Sequence, residues 1–330
     1  MEFLAVEAPV LTNWIGKFLQ LLSDSIGNFG WAIVVFTIIL KVILLPLDIW
    51  PKLSQRKTQR KMAILKPQLE KLQKQYGNNK EELSRRQMAL YKKEKISMMG
   101  MLASTCLPLI VTMVVFIVIF NAVQDVVRYQ NELMVFQLNE LYEKLIAEGA
   151  SMETINNNLA DFYYGSMQSW LWVKNVFMPD NWSNVVPSAE VFLGTGWGKM
   201  AAAMPEGVNT TYDVLVGPAL ARSTAWNGLL LLPIISTAIA ILSQLMIKIQ
   251  TKSTNQDAEN QMGGVMKVMQ YALPVMVGVF ALFYSAIFSI YFLVNSLISF
   301  ITQSIFTVIF KNHDKKMEEQ RLNTTFVRKK

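Results

Sequence analysis

The feature that most constrains this chain is an apolar run from Phe29 to Leu47 that contains a single charge, Lys41. The run has 19 residues, and about 20 helical residues are needed to cross the hydrocarbon of a bilayer. A charge at that depth is a hypothesis for a functional site. The alternative is snorkelling, in which a long side chain reaches the interface. Lys41 precedes Trp50 by nine residues, about 13 Å of helix, which is further than a lysine stem extends.

Four further apolar blocks follow, and together with the first they predict an all-α polytopic membrane protein with five transmembrane helices. Hydrophobic residues make up 52% of the chain and charged residues only 17%, which is typical of that class. The spans are expected at residues 29–50, 102–123 and 228–249, with two more within 267–310. That last stretch is about 60 Å long if helical, twice the thickness of the hydrocarbon. A turn is therefore expected near Ser285.

The distribution of charge predicts the orientation of these spans. Residues 52–100 carry 14 lysines and arginines against four acids, whereas residues 125–227 carry five against 11. Cytoplasmic segments next to spans are enriched in lysine and arginine. Five spans with the N-terminus outside place the basic segment, the 250–266 loop and the basic tail 311–330 in the cytoplasm. The net charge of +7 is then a topology signal, and no sequence-specific binding of nucleic acid is expected.

The segments that flank the first span are predicted to be helical. Apolar residues in 1–28 recur at helical spacing, which indicates an amphipathic helix at the outer interface or, as the alternative, one partly buried in the external domain. Residues 51–101 show two helical patterns separated at Gly77, which predicts a helical hairpin with a basic exterior. Pro67 is expected to kink the first arm or to begin a new helix.

The basic exterior of the hairpin has two interpretations. It is either a solvated face that enforces topology or an arm that contacts anionic lipid, ribosomal RNA or a nascent chain. The candidate contact residues are Arg60, Lys61, Arg85 and Arg86.

Residues that carry chemistry are scarce. Cys106 is the single cysteine and His313 the single histidine, so an intrachain disulfide and a site of several histidines are excluded. No glycine-rich phosphate loop or catalytic motif is present. We therefore predict no catalytic residue, no metal site and no cofactor. A secondary transporter with a cation at the midplane and an intramembrane enzyme remain as alternatives, but we find neither internal repeats nor a catalytic partner for Lys41.

Polar residues also recur within the predicted spans. Thr37 precedes Lys41 by one helical turn and shares its face. Further polar positions in the third and last spans are Ser236, Thr237, Ser243, Gln244, Ser285, Ser289, Ser296, Ser299 and Gln303. They either permit close packing of helices or line a hydrated cavity.

An ordered set of short motifs carries a resemblance to a known family. The set includes Gly30-Trp31-Ala32-Ile33, Leu44-Leu45-Pro46-Leu47, Tyr76-Gly77, Cys106-Leu107-Pro108-Leu109, Pro179-Asp180, Leu273-Pro274 and Tyr291-Phe292-Leu293-Val294-Asn295. Over about 30–123 and 228–310 the chain resembles the YidC/Oxa-type membrane protein insertases. The resemblance implies five spans around a hydrophilic groove that is open to the cytoplasm and to lipid and closed outside. The extracytoplasmic insertion 124–227 is longer than in minimal members, and we assign it no function.

The resemblance also implies a function and a set of groove residues. The function is insertion and chaperoning of membrane proteins, alone or with the Sec translocon, in a bacterial cell membrane. The implied partners are nascent membrane proteins, the ribosome and anionic lipids. The resemblance gives Lys41, Thr37 and Tyr291 as groove residues, and the polar positions of the spans add Ser289 and Gln244. The family's groove cation is usually arginine, so Lys41 keeps the charge but loses the bidentate fork.

Overall fold

The computed structural model describes residues 8–94, 98–189, 208–251 and 271–327. These residues are mostly helical, and their extended segments pair only in two isolated bridges, Trp170 with Val173 and Asn184 with Trp226. The all-α prediction is therefore confirmed for this part of the chain. The helices are α1 (Trp14–Ile26), α2 (Phe29–Tyr76), α3 (Lys80–Lys93), α4 (Met98–Ala147), α5 (Met152–Ser166), α6 (Val208–Arg222), α7 (Leu231–Thr251), α8 (Tyr271–Ala281) and α9 (Ala286–Val327).

Among the described residues, three stretches of helix are long and apolar enough to cross a membrane. They are Phe29–Ser54 in α2, Ile110–Ala147 in α4 and Ala286–Asn312 in α9. The other two predicted spans coincide with shorter apolar helices, Leu231–Met246 and Tyr271–Ala281. A helical membrane protein is thus confirmed, and the number of five spans stays a prediction.

The helices continue beyond the ends of the predicted spans. α2 has 48 residues and runs through Pro67, so no new helix begins there. α4 has 50 residues. Hydropathy marks where a span ends but not where a helix ends, because the polar residues that follow keep a helical pattern. The chain between α8 and α9 leaves the helical conformation at 282–285, where the length of the apolar run predicts a turn.

The chain divides into two compact units. Unit 1 comprises Met1–Ile39, Val115–Ser236 and Val277–Val294, and unit 2 comprises Leu40–Val114, Thr237–Met276 and Asn295–Lys330. Each unit therefore contains parts of α2, α4, α7, α8 and α9 and is described by itself.

Unit 1 has a hydrophobic core between α5, α6 and the C-terminal part of α4. Fully buried members include Leu138, Ile155, Leu159, Val186 and Leu215. This core belongs to the segment 124–227. Burial of several aliphatic side chains stabilises such a segment by roughly 2 kcal/mol each.

α1 packs on α4 in the same unit. Ile15 and Leu19 are buried, the Asn13 side chain caps the helix by accepting from the Ile15 amide, and its amide nitrogen donates to Asp125 at 3.3 Å. The opposite side of α1 exposes Trp14 and Leu21. An apolar helix with one face on protein and another face exposed agrees with either predicted position for 1–28.

A loop at residues 167–187 (the 167–187 loop) holds the start of α7 in unit 1. Asp180 is fully buried, and its carboxylate accepts hydrogen bonds from the amides of Leu229 at 2.8 Å and Leu232 at 2.7 Å. Trp172 donates a third bond to it at 3.3 Å. The arrangement caps the first turn of α7 with a negative charge, which the positive end of the helix dipole favours. Gly228 is required beside it, since a Cβ there would lie 1.9 Å from an Asp180 oxygen.

The same loop contacts the starts of two more helices of unit 1. Asn28, just before α2, donates to the Ser169 carbonyl at 2.8 Å. The amide of Ala286, the first residue of α9, donates to the Met178 carbonyl at 2.8 Å. The loop also packs so closely on α2 that a Cβ at Gly30 would lie 2.4 Å from the Trp170 ring. The starts of α2, α7 and α9 are therefore gathered at one loop.

Unit 2 contains the hairpin formed by the last part of α2 and α3. Its small core consists of Leu65, Leu69 and Tyr91, with Leu90 packed against them. The α2 helix ends at Tyr76, just before the predicted break at Gly77, and Asn79 caps α3 by accepting from the Glu82 amide. Because the apolar seam is narrow, most of the described side chains of the hairpin are exposed.

Candidate functional site

Lys41 is held by two polar partners within unit 2. Its ammonium donates to the Asp48 carboxylate at 3.2 Å and to the Ser299 hydroxyl at 3.4 Å. Asp48 lies seven residues further along α2, which is two helical turns and almost the same face. The Lys41 side chain is 15% exposed and that of Asp48 42%. The ammonium is therefore largely shielded, and the carboxylate is open on one side.

The face of α2 that carries Lys41, Asp48, Lys52 and Arg56 is called the charged face below. Lys52 lies over the Phe306 ring of α9 at 5.4 Å, and Arg56 lies over the Phe310 ring at 5.2 Å. A cation over an aromatic face is attracted by about 0.5–2 kcal/mol, depending on its exposure to water. The charged face thus packs along α9 through side chains that satisfy its cations.

The order of these contacts shows the direction of the two helices within unit 2. Going along α2 from Lys41 to Arg56, the partners on α9 advance from Ser299 to Phe310. Residue numbers rise together, so α2 and α9 are parallel over this stretch.

The α9 helix in unit 2 is polar on its buried side and apolar on its exposed side. Ser296 and Gln303 are buried, whereas Ile301, Ile305 and Val308 are about half exposed. In water the opposite distribution is favoured, whereas in lipid polar groups are kept inside and apolar groups face the solvent. The buried polar stripe agrees with a helix that is surrounded in part by lipid.

The other predicted groove residues are distributed over both units. In unit 1, Thr37 and Ser289 are fully buried, and their hydroxyls donate to the carbonyls of Ile33 at 2.6 Å and Ala281 at 3.2 Å. Tyr291 is also buried. In unit 2, Gln244 is half-buried on α7. A hydroxyl that donates to backbone keeps its acceptor lone pairs, so these contacts suit a packing role as well as a groove role.

The predicted contact residues of the hairpin are exposed where the structure describes them. Lys61 and Arg85 are exposed, whereas the side chain of Arg60 lies outside the described residues. Arg86 donates to Glu82 at 2.9 Å and lies 5.6 Å from the Tyr76 ring. The hydrogen bond with Glu82 raises the pKa of Arg86. Lys61 and Arg85 are therefore better placed than Arg86 to meet an anionic partner.

A cavity of about 250 Å³ lies in unit 1, and none of the predicted groove residues lines it. Amide side chains dominate its wall, including Gln20, Gln130, Gln137 and Gln168, and Phe177 contributes an aromatic side. Gln20 accepts from Gln130 and donates to Asp24, so much of this polarity is satisfied internally. The cavity does not coincide with the charged face, and the chemistry of the two places differs.

Asp48 is the functional candidate that sequence reasoning missed. The sequence carries a signal for it, because an acid seven residues after a lysine on one helix returns to the same face. The signal is weak because Asp48 lies two turns from Lys41 at the polar end of the span, whereas Thr37 lies only one turn away. Within the described residues, no group of histidine, cysteine and acids that could hold a metal ion is found.

Comparisons with known proteins point to one family. The family model described as "60Kd inner membrane protein" matches residues 21–315. Similar proteins include the membrane protein insertase YidC of Pseudoalteromonas atlantica, 31% identical over 135 residues that cover 40% of this chain and 23% of that protein. The YidC of Fusobacterium nucleatum is 34% identical over 117 residues, 34% of this chain and 53% of that protein.

A third relative aligns with this chain over more residues. The YidC of Buchnera aphidicola is 31% identical over 161 residues, which are 46% of this chain and 28% of that protein. The chain thus spans between 23% and 53% of the length of these three relatives.

Proposed function

Because the chain belongs to the 60Kd inner membrane protein family, we propose that it is a membrane protein insertase and chaperone. The resemblance found in the sequence to the YidC/Oxa-type insertases is thereby confirmed. The single observation that carries the proposal is the extent of the family match, which runs from α1 to α9. The relatives are named membrane protein insertases, and the proposal transfers that activity to this chain.

The proposed architecture has five spans. Support comes from the 167–187 loop, at which α2, α7 and α9 all begin. If these three helices start on one side of the membrane, the chain must cross the membrane after each start and return before the next. α4 supplies the first return, and the segment that includes α8 supplies the second. The parallel contacts of α2 with α9 in unit 2 support the same count.

The proposed orientation puts the 167–187 loop outside and the hairpin in the cytoplasm of a bacterial cell. It rests on charge, since residues 52–100 are strongly basic and residues 125–227 are acidic, and basic segments stay on the cytoplasmic side. In this arrangement the C-terminal end of α9 is also cytoplasmic.

The proposed mechanism needs no covalent chemistry and no cofactor. A client span partitions sideways into lipid, driven by its own apolar surface at about 25 cal/mol per Å². Its polar flank is held meanwhile by the positive charge of Lys41, with Thr37, Ser289, Tyr291 and Gln244 lining the path. A hydrated groove would shorten the route of that flank through the hydrocarbon, where each unsatisfied polar group costs several kcal/mol.

The hairpin is proposed to contact anionic lipid headgroups or the ribosome, with the Sec translocon as a further partner. Exposed Lys61 and Arg85 support this role. Changing both to glutamate should weaken binding to anionic liposomes and lower its salt dependence, because fewer counterions are released. The matched control is Arg86→Gln, which removes a guanidinium that already bonds Glu82 and should have a smaller effect.

Reconstitution tests the proposed function. The purified chain is placed in liposomes without nucleotide, and a single-span client with an acidic tail is added. Protease protection of the client tail then measures insertion. We expect protected client well above the level of protein-free liposomes. Equal levels would contradict the proposal, and flux of small solutes in the same vesicles would instead indicate a transporter.

A further inference from the structure

Lys41 already has an anionic partner inside the protein. The Asp48 carboxylate lies 3.2 Å from its ammonium, and Ser299 adds a neutral acceptor at 3.4 Å. A client carboxylate that is to pair with Lys41 therefore meets a site that is occupied by another carboxylate. The resemblance to the insertase family does not include the contact between Lys41 and Asp48, which follows from their seven-residue spacing on α2.

The exposure of the two groups makes the pair exchangeable. The Lys41 side chain is 15% exposed, whereas the Asp48 side chain is 42% exposed. Asp48 is thus the more open member of the pair and the one that can leave the ammonium. A pair with one open member is held less tightly than a fully buried pair.

A second cation is near to receive the released carboxylate. Lys52 lies one helical turn beyond Asp48 on the charged face, and its ammonium is over the Phe306 ring at 5.4 Å. A lysine at i+4 from an acid is the favourable order for an ion pair on a helix. Asp48 can therefore turn from Lys41 toward Lys52 without becoming an isolated charge in an apolar surrounding.

We propose that Asp48 is a resident competitor that sets the specificity of Lys41 for client tails. In the resting state its carboxylate holds the ammonium. A client whose flank carries carboxylates displaces it, and a client without them does not. The proposal rests on the proposed function and adds a specificity residue to it. Exchange of one ion pair for another keeps the net gain small, so the client tail is released once its span has entered lipid.

Specificity of this kind is a difference between two affinities. Removing the competitor should raise the affinity of Lys41 for acidic tails and leave neutral tails unchanged. Given the modest strength of the pair, we expect about a threefold to tenfold increase. The effect must depend on Lys41, because the competitor acts only through it.

The experiment compares Asp48→Asn with the wild type in proteoliposomes, using clients that differ only in carrying zero, one, two or three acidic residues in the tail. Asp48→Asn keeps the size of the side chain and removes its charge. Initial insertion rates of the acidic clients should rise about threefold to tenfold, and the rate of the neutral client should stay the same. Asp48→Glu, which retains the carboxylate, should behave as the wild type.

Controls separate this inference from the proposed function. Asp213→Asn removes an exposed acid on α6 and should change no rate. If the wild type inserts no client, the proposed function is wrong. If the wild type inserts clients and Asp48→Asn gives unchanged or lower rates for acidic tails, only the competitor role is wrong.

A second measurement does not need the variant to fold. In the wild type, insertion rates should increase with the number of acidic residues in the tail, because several carboxylates compete better with Asp48 than one does. A rate that is independent of that number would overturn the proposal even if Asp48→Asn could not be purified.

Discussion

Two regions of this protein bury polar groups in opposite ways, namely the segment 124–227 in unit 1 and the part of α9 in unit 2. Unit 1 contains the aliphatic core of α4, α5 and α6 and a buried carboxylate, Asp180, that accepts from two backbone amides. Unit 2 buries Ser296 and Gln303 and exposes a row of aliphatic side chains on α9. The first pattern suits a segment in contact with water, and the second suits one in contact with lipid.

The comparison shows that a buried charge has a different role in each region. In unit 1 the buried charge of Asp180 is fixed by hydrogen bonds to α7 and serves to hold the helix start. In unit 2 the charge of Lys41 is shared between an exchangeable carboxylate and a hydroxyl. A fixed charge stabilises structure, whereas an exchangeable one can be offered to another molecule.

The largest expected effect is on unit 1, from Asp180→Ala. The change leaves the buried amide of Leu232 and the partly buried amide of Leu229 without acceptors, and a buried loss of this kind costs about 1–3 kcal/mol. We expect the free energy of unfolding to fall by about 4 kcal/mol, measured by thermal or denaturant unfolding in detergent. Asp161→Ala is the matched control, because that acid is exposed and pairs only with exposed Arg222 among the described contacts. A control effect as large as that of Asp180→Ala would contradict the assigned role.

A matched pair of isoleucines tests whether α9 in unit 2 faces lipid and the C-terminal end of α4 in unit 1 faces water. Ile301 of unit 2 and Ile146 of unit 1 are both on helices and both 48% exposed. Lysine at position 301 should cost about 3 kcal/mol in a bilayer, whereas lysine at position 146 should stay within about 0.5 kcal/mol. Membrane yield and thermal unfolding in lipid nanodiscs measure both. Equal costs would remove the distinction between α9 facing lipid and the C-terminal end of α4 facing water.

Gly30→Ala should have an intermediate effect on unit 1. The new Cβ would lie 2.4 Å from the Trp170 ring, so the 167–187 loop must shift, at a cost of about 2 kcal/mol. Gly165→Ala is the control, because nothing lies within 4 Å of its Cβ position and alanine favours helix by up to about 1 kcal/mol. In a Trp170→Ala background the Gly30→Ala change should cost less than in the wild type if the clash is the cause of the loss.

The smallest effect concerns alkaline pH and again belongs to unit 1. Burial raises the pKa of both Tyr163 and Tyr212. A tyrosine in the unfolded chain ionises near pH 10, so above that pH the unfolded state loses protons that the folded state keeps. Stability should therefore be independent of these groups below about pH 10 and fall above it by about 1.4 kcal/mol per pH unit for each tyrosine.

A single variant separates the two tyrosines. Tyr212→Phe removes the hydrogen bond to the Pro187 carbonyl and should cost about 1 kcal/mol at neutral pH. It should also halve the slope of stability against pH above about pH 10. Urea unfolding at a series of pH values measures both quantities, and an unchanged slope would show that Tyr212 ionises alike in both states.

Local patterns in the sequence predicted much of the fold. The apolar run after Phe29, the break at Gly77 and the turn near Ser285 all depend on neighbours in the chain, and helices begin or end there. The lengths of the helices were harder to predict, because α2 and α4 continue into polar sequence with the same periodicity. The hydropathy of a segment reports its surroundings and does not report its hydrogen bonding.

The contacts that define the sites were harder to predict, because they join distant positions. Asp180 reaches α7 across about fifty residues, and the Pro179-Asp180 motif carries the resemblance but does not predict this contact. Lys41 was found because a charge inside an apolar run is conspicuous. Its partner Ser299 lies 258 residues away, and Asp48, although close in sequence, lies two turns away at the polar end of the span.

The pairing with Asp48 also changes how Lys41 has to be tested. Replacing Lys41 alone leaves a carboxylate without its partner, and an uncompensated charge in a low-dielectric region is costly. A loss of function in that variant would then be confounded with a loss of stability. Removing both charges avoids this, and methionine at position 41 keeps the length of the lysine stem.

The measurement that tests the central claim most directly compares Lys41→Met/Asp48→Asn with Asp48→Asn alone in proteoliposomes. The central claim is that the positive charge of Lys41 carries client insertion. We predict that the double variant unfolds at the same or a higher temperature in lipid and inserts an acidic-tailed client at least about tenfold more slowly. Equal insertion rates in the two variants would contradict the claim and leave the shape and polarity of the protein to account for its activity.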